Sequence, residues 1–213
     1  MKTKNFNNRL LVQRTSLAII SIALMFSITA VFAADNTDLS ITINAGSLDV
    51  DIVDASGDTV ADPGVAMSVI TFGFEEGSST GTMGSSVEKI RVYNPTAIST
   101  WSLSLAATSG ATALWSTSGS ETMDYNQDGG AQMTIDPSGG TIISHLGNTA
   151  NISLGSSTAF VQGTTDSITL ATAAAAASTY DYFDITGISL SQVVPAEQEV
   201  AAYTLNMTLT VTN

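Results

Sequence analysis

The chain has no cysteine, a single histidine and only six lysines plus arginines among its 213 residues. Each shortage excludes a chemistry. Without cysteine there is no disulfide, no thiol nucleophile and no thiolate ligand, so the fold of an exported chain must rest on core burial alone. One histidine without cysteine cannot furnish the usual zinc ligand set. A Ser-His-Asp triad would have to use His145, which sits in Ile143-Ser144-His145-Leu146-Gly147. No Gly-x-Ser-x-Gly elbow accompanies it, and the residue reads as a surface-loop histidine. No glycine-rich phosphate loop followed by lysine is present. The 19 acidic residues supply material for a glycosidase-type carboxylate pair. The acid clusters, however, are Asp49, Asp51 and Asp54, and Glu75 and Glu76. These lie in alternating strand or turn positions, where a solvated face is the expectation. A non-catalytic protein is expected.

The few cations are unevenly placed. Lys2, Lys4, Arg9 and Arg14 precede an apolar run over residues 17–32 that closes at Val31-Phe32-Ala33, and the first acid is Asp35. A basic head, an apolar middle and a small-residue exit are the parts of a secretory signal peptide. The run is short for a membrane span and has no basic stop-transfer cluster after it. Residues 1–33 are therefore expected to be a signal peptide, and residues 34–213 a secreted domain on the cell surface or in the cell wall. That domain keeps only Lys89 and Arg91 against all 19 acids. So acidic a surface disfavours nucleic acid and anionic membranes as partners.

Beyond Asp35 the sequence is rich in Ser, Thr, Gly and Ala. Apolar and polar residues alternate at residues 39–43 and 48–52, the period of a half-buried strand. With the turn Asn44-Ala45-Gly46-Ser47 between them, they read as a first hairpin. Further strands are expected at residues 67–74, 87–93, 100–105, 132–135, 141–144, 151–154, 167–170, 182–190 and 203–211. The alanine run 171–177 reads as a helical turn or a small-residue strand packed closely on a neighbour. No repeat and no linker divides this region. A single antiparallel β-sandwich or barrel-like domain after an N-terminal signal helix is the simplest account.

One segment has the look of a site. Asp124-Tyr125-Asn126-Gln127-Asp128-Gly129-Gly130 carries D-x-N-x-D-G, with oxygen side chains at alternate positions and a glycine for the turn. Asp124, Asn126, Asp128 and the Gly130 carbonyl would be the ligands of a calcium ion. The twelfth position, where a bidentate glutamate belongs, holds Ile135. An Asx-rich turn is the alternative.

Two short motifs carry a family resemblance. Trp101-Ser102-Leu103 follows the polar turn of Val92-Tyr93-Asn94-Pro95, with Ile70-Thr71-Phe72-Gly73 upstream. Near the C-terminus, Tyr203 precedes the alternating Met207-Thr208-Leu209-Thr210-Val211, with Leu209 at the place of a second tryptophan. In these features the chain resembles the WxL-domain family of bacterial cell-surface proteins. The resemblance implies a secreted β-domain held non-covalently at the wall by binding peptidoglycan. Its partners would be wall polysaccharide or other surface proteins. Trp101, Leu103, Trp115 and Tyr203 are the residues expected to meet the ligand. Trp101, on an alternating strand, either fills core or offers a flat face to sugar; Trp115, beside Ser116-Thr117-Ser118-Gly119, is the better surface candidate. The alternative is a structural subunit of a self-assembling surface fibre or layer, in which an apolar, alternating terminal strand such as residues 39–43 or 203–211 adds to a neighbour's sheet edge.

Overall fold

Thr/Ser-rich alternation gives strands wherever one phase can be buried. The computed structural model describes residues 41–213; the expected signal segment 1–33 lies outside the described residues. The strands are, in chain order, β1 (Asp49–Val53), β2 (Gly77–Met83), β3 (Lys89–Asn94), β4 (Trp101–Ala107), β5 (Trp115–Ser116), β6 (Thr122–Met123), β7 (Met133–Asp136), β8 (Thr141–Ser144), β9 (Ile152–Leu154), β10 (Thr158–Ala159), β11 (Ser167–Ala173), β12 (Asp181–Thr186), β13 (Ile188–Val194) and β14 (Met207–Thr212). No α-helix occurs among the described residues.

The strands form three antiparallel four-stranded sheets with orders β1-β3-β12-β8, β10-β7-β13-β2 and β14-β4-β11-β9, plus the small β5-β6 pair. The fold is an all-β antiparallel sandwich. One core draws on all three large sheets, with Ile90 and Phe183 from the first, Ile135 and Leu190 from the second, and Leu103, Leu105 and Ile168 from the third. Burial of each such side chain stabilises the fold by roughly 1.5–3 kcal/mol. β4 shows the cause most plainly. Trp101, Leu103, Leu105 and Ala107 are buried, while Ser102, Ser104 and Ala106 between them are not.

Three expectations need correction. The first hairpin does not form. Residues 41–48 carry no strand, and β1 pairs instead with β3, placing Asp51 opposite Arg91. Residues 67–74 form no regular strand; within them Ser68 donates its N–H to the Thr80 carbonyl at 2.7 Å. Val69, Phe72 and Phe74 are left exposed. The strand of that region is β2, whose sequence GSSTGTM has little apolar character and pairs residue for residue with β13. Finally, residues 182–190 are not one strand. Gly187, at φ 79°, breaks them into β12 of the first sheet and β13 of the second. A left-handed backbone is open to glycine at little cost, and it lets the chain change sheets. The alanine run 171–177 divides between its two alternatives: Ala171 to Ala173 complete β11 beside β4, and the chain then turns, with Ala177 donating its N–H to the Ala174 carbonyl at 3.1 Å.

Candidate functional site

The residues expected to meet a ligand divide into two groups. Trp101 and Leu103 point inward from β4, with 3% and 0% of their surface exposed. The Trp101 ring lies 5.7 Å from that of Phe183 on β12. A tryptophan so covered has no face to offer a sugar, so neither residue contacts a ligand from this position. Both act through the core. The alternation that marks β4 as a strand is the same alternation that turns them inward.

Trp115 and Tyr203, 88 positions apart in the sequence, line one surface cleft of about 450 Å³ with Phe72, Met123, Gln192 and Gln198. Trp115 opens β5, which pairs with β6 and, through an antiparallel bridge from Ser116 to Thr204, with the segment that carries Tyr203. Its indole Nε1–H donates to Gln192 Oε1 at 2.9 Å. Gln192 is buried on β13, and its Nε2 donates to the Val193 carbonyl at 2.8 Å and the Asp124 carbonyl at 3.3 Å. The amide thus fixes the indole on a rigid strand. On the facing wall, Gln198 Nε2 donates to the Tyr203 hydroxyl at 2.7 Å, and that hydroxyl donates to the Glu199 carbonyl at 2.9 Å. Two half-buried aromatic rings, each held by a glutamine amide over an apolar floor, make a cleft that can stack on a flat ligand.

Gln192 and Gln198 were not foreseen. Gln192 had a signal. It occupies the inward phase of Ile188, Leu190 and Gln192 along β13, where a polar residue must find partners because an unpaired buried amide is costly. Gln198 lies in a loop and had none.

The segment with the calcium-like pattern forms a turn closed by its own hydrogen bonds. Asp124 Oδ1 accepts the N–H groups of Tyr125 at 2.8 Å and Asn126 at 3.2 Å. Asn126 is buried and donates its Nδ2 to the Ala111 carbonyl at 2.8 Å, leaving its Oδ1 buried and unpartnered. Asp128 is exposed, and Gly130 donates its N–H to the Gln127 carbonyl at 3.1 Å. These contacts are those of an Asx turn. Among the described residues no group of three or more acids or histidines is placed to hold a metal ion. Adding calcium, or a chelator, is expected to leave the melting temperature of the protein unchanged. A calcium-dependent rise in a thermal scan would restore the metal reading.

A third constellation lies on the outer face of the first sheet. Lys89, Arg91 and His145 are every cationic or imidazole side chain among the described residues, and all three converge on Asp184. Arg91 Nε and Nη2 reach its two oxygens at 2.6 and 2.9 Å, His145 Nε2 lies 2.9 Å from Oδ2, and Lys89 Nζ is 3.6 Å away. The register explains the meeting, since Asp184 on β12 stands opposite Arg91 on β3. Tyr182 packs beneath, with the Arg91 guanidinium 4.7 Å from its ring centre and the His145 ring stacked on it at 4.3 Å. Gly57 closes the patch; a Cβ there would meet Arg91 Nη1 at 2.8 Å. Burial pushes the Asp184 carboxyl up, but hydrogen bonds and charge from Arg91 and His145 outweigh it and hold the group below the ordinary carboxylate value. His145 is therefore part of an ion-pair cluster rather than a free loop side chain, and its Nε2 faces a carboxylate.

No protein-family model matches the chain, and no curated protein or solved structure matches it.

Proposed function

We propose that the protein is a secreted, non-catalytic cell-surface protein that associates non-covalently with the cell wall by binding peptidoglycan glycan. The observation that carries this reading is the cleft shared by Trp115 and Tyr203, with Gln192 and Gln198 bonded to the two aromatic polar atoms. Flat, half-exposed rings beside fixed amides suit pyranose rings, whose faces are apolar and whose edges bear hydroxyls. The signal-peptide pattern of residues 1–33 and the WxL-like motifs support the same reading from the sequence. The acidic surface favours a neutral polysaccharide over nucleic acid or an anionic membrane as partner.

The test is co-sedimentation of the chain from residue 34 onward with isolated bacterial cell walls, against a tube without walls. At concentrations at which it is monomeric, the protein is expected to pellet only with walls. Trp115→Ala removes the central ring from a contact that a few anchors dominate, so it is expected to weaken wall binding by about tenfold or more. Equal pelleting of the wild type and a folded Trp115→Ala variant would overturn the assignment of the cleft.

A further inference from the structure

Each large sheet brings one edge strand to a single open groove. β1, β2 and β14 are the edges of their sheets, and the groove between them, of about 1650 Å³, is lined by Val50, Ile52, Leu105, Leu205, Met207 and Leu209. Two of the three edges are already engaged in part. Val60 donates its N–H to the Ile52 carbonyl beside β1 at 2.9 Å, and Ser68 reaches Thr80 on β2. β14 is different. It pairs with β4 along one side; β1 packs close to it, but no bridge to its other side occurs among the described residues. Its inward residues Met207, Leu209 and Val211 are only half-buried, although they pack on the core. A strand edge with open backbone groups beside an unfilled groove, apolar along β14 and polar toward Asp51 and Glu88, is a template for one more strand.

The same chain carries a matching segment. Residues 39–43 read Leu-Ser-Ile-Thr-Ile, so alternate apolar side chains would enter a groove from one face of a strand. Ile41 and Ile43 are each 87% exposed and belong to no strand. Charge fits as well. In a protein with 19 acids, neither residues 39–48 nor β14 contains one, so the two segments meet without like-charge repulsion. Their lengths are also similar, five alternating residues against the six of β14.

We propose that residues 39–43 of one copy add as a strand to the free edge of β14 in a second copy, placing Ile41 and Ile43 in the groove beside Met207 and Leu209. Donor and acceptor lie on different parts of the chain, so the contact is head-to-tail. It does not close on itself, and it builds chains of molecules.

The test uses the chain from residue 34 onward, which carries every described strand, together with an Ile41→Asp/Ile43→Asp double variant. Both isoleucines are exposed, so the double variant is expected to fold with the melting temperature that the wild type shows at concentrations at which it is monomeric. The wild type is expected to form assemblies that grow with concentration in the analytical ultracentrifuge, and the double variant to remain a monomer. A synthetic peptide of residues 36–48, at saturating excess, is expected to raise the melting temperature of the double variant by about 5 °C, as a ligand bound only to the native state does. Equal assembly of both proteins, a wild type that stays monomeric throughout, or a peptide without effect would overturn the proposal.

Discussion

Replacing Asp184 with asparagine is expected to lower the melting temperature by about 10 °C. The substitution keeps the shape of the side chain and removes its charge. It leaves Arg91 buried without its counter-ion and Lys89 without its nearest acid. Breaking a buried pair from one side costs roughly 3–5 kcal/mol, because the remaining charge stays desolvated. In a domain of this size each kcal/mol moves the melting temperature by about 2–4 °C. The pH dependence follows from the direction of the shift. The folded-state value of Asp184 lies below its ordinary one, so its contribution is complete above the unfolded-chain value, near pH 4. It is lost as pH falls further, through the folded-state value. Thermal scans from neutral to acidic pH should therefore show the wild type and Asp184→Asn converging below about pH 4. A constant gap between them across that range would contradict the assigned role of the carboxylate.

Trp101→Ala is expected to have a comparably large effect for a different reason. Emptying the space beside Phe183 and Leu103 costs about 3–5 kcal/mol through lost transfer energy and a residual cavity. The indole Nε1–H is buried without a partner, an unfavourable feature that phenylalanine would remove. Trp101→Phe should accordingly recover most of the loss, since it keeps a ring against Phe183. Denaturant unfolding measures both. The contrast with Trp115 is the informative part. Trp101→Ala should reduce the fraction of folded protein while the folded molecules still bind walls; Trp115→Ala, which leaves Gln192 Oε1 without its donor, should cost less stability but remove wall binding from the molecules that fold. Loss of wall binding by folded Trp101→Ala molecules would mean that the motif tryptophan, and not the cleft, meets the ligand.

Much of the sheet framework was legible, for a physical reason. A strand with one buried face must alternate, and β3, β4 and β14 do so in their own sequences. What alternation does not contain is the partner. Residues 39–43 and 48–52 look like neighbours in a hairpin, yet β1 is joined to β3, and that pairing depends on a register visible only in space. β2 escaped notice because its inward positions are Ser79, Gly81 and Met83 rather than a run of large apolar residues. Residues 67–74 misled in the opposite sense, being apolar enough for a strand but left outside the regular ladders.

The sites divide along the same line. Trp115 was identifiable as an aromatic residue beside a loop and Tyr203 from the C-terminal motif, and the fold brings them to one cleft. Trp101 and Leu103 carry the motif of the family resemblance, but their phase on β4 commits them to the core. The Asp184 cluster was invisible. Lys89, Arg91 and Asp184 are spread over two strands, and only the β3–β12 register gathers them. His145 reaches the same carboxylate from beyond the end of β8, across a separation of 39 residues that no local pattern records.

The most direct test of glycan binding in the cleft exploits the presence of only two tryptophans. Soluble peptidoglycan fragments should be titrated into the monomeric protein while indole fluorescence is recorded. A ligand in the cleft touches Trp115 and leaves buried Trp101 untouched. The expected result is a saturable change in emission in the wild type that is absent in Trp115→Phe and preserved in Trp101→Phe. A signal that persists in Trp115→Phe, or no change at concentrations at which the protein is retained on intact walls, would contradict glycan recognition at this site.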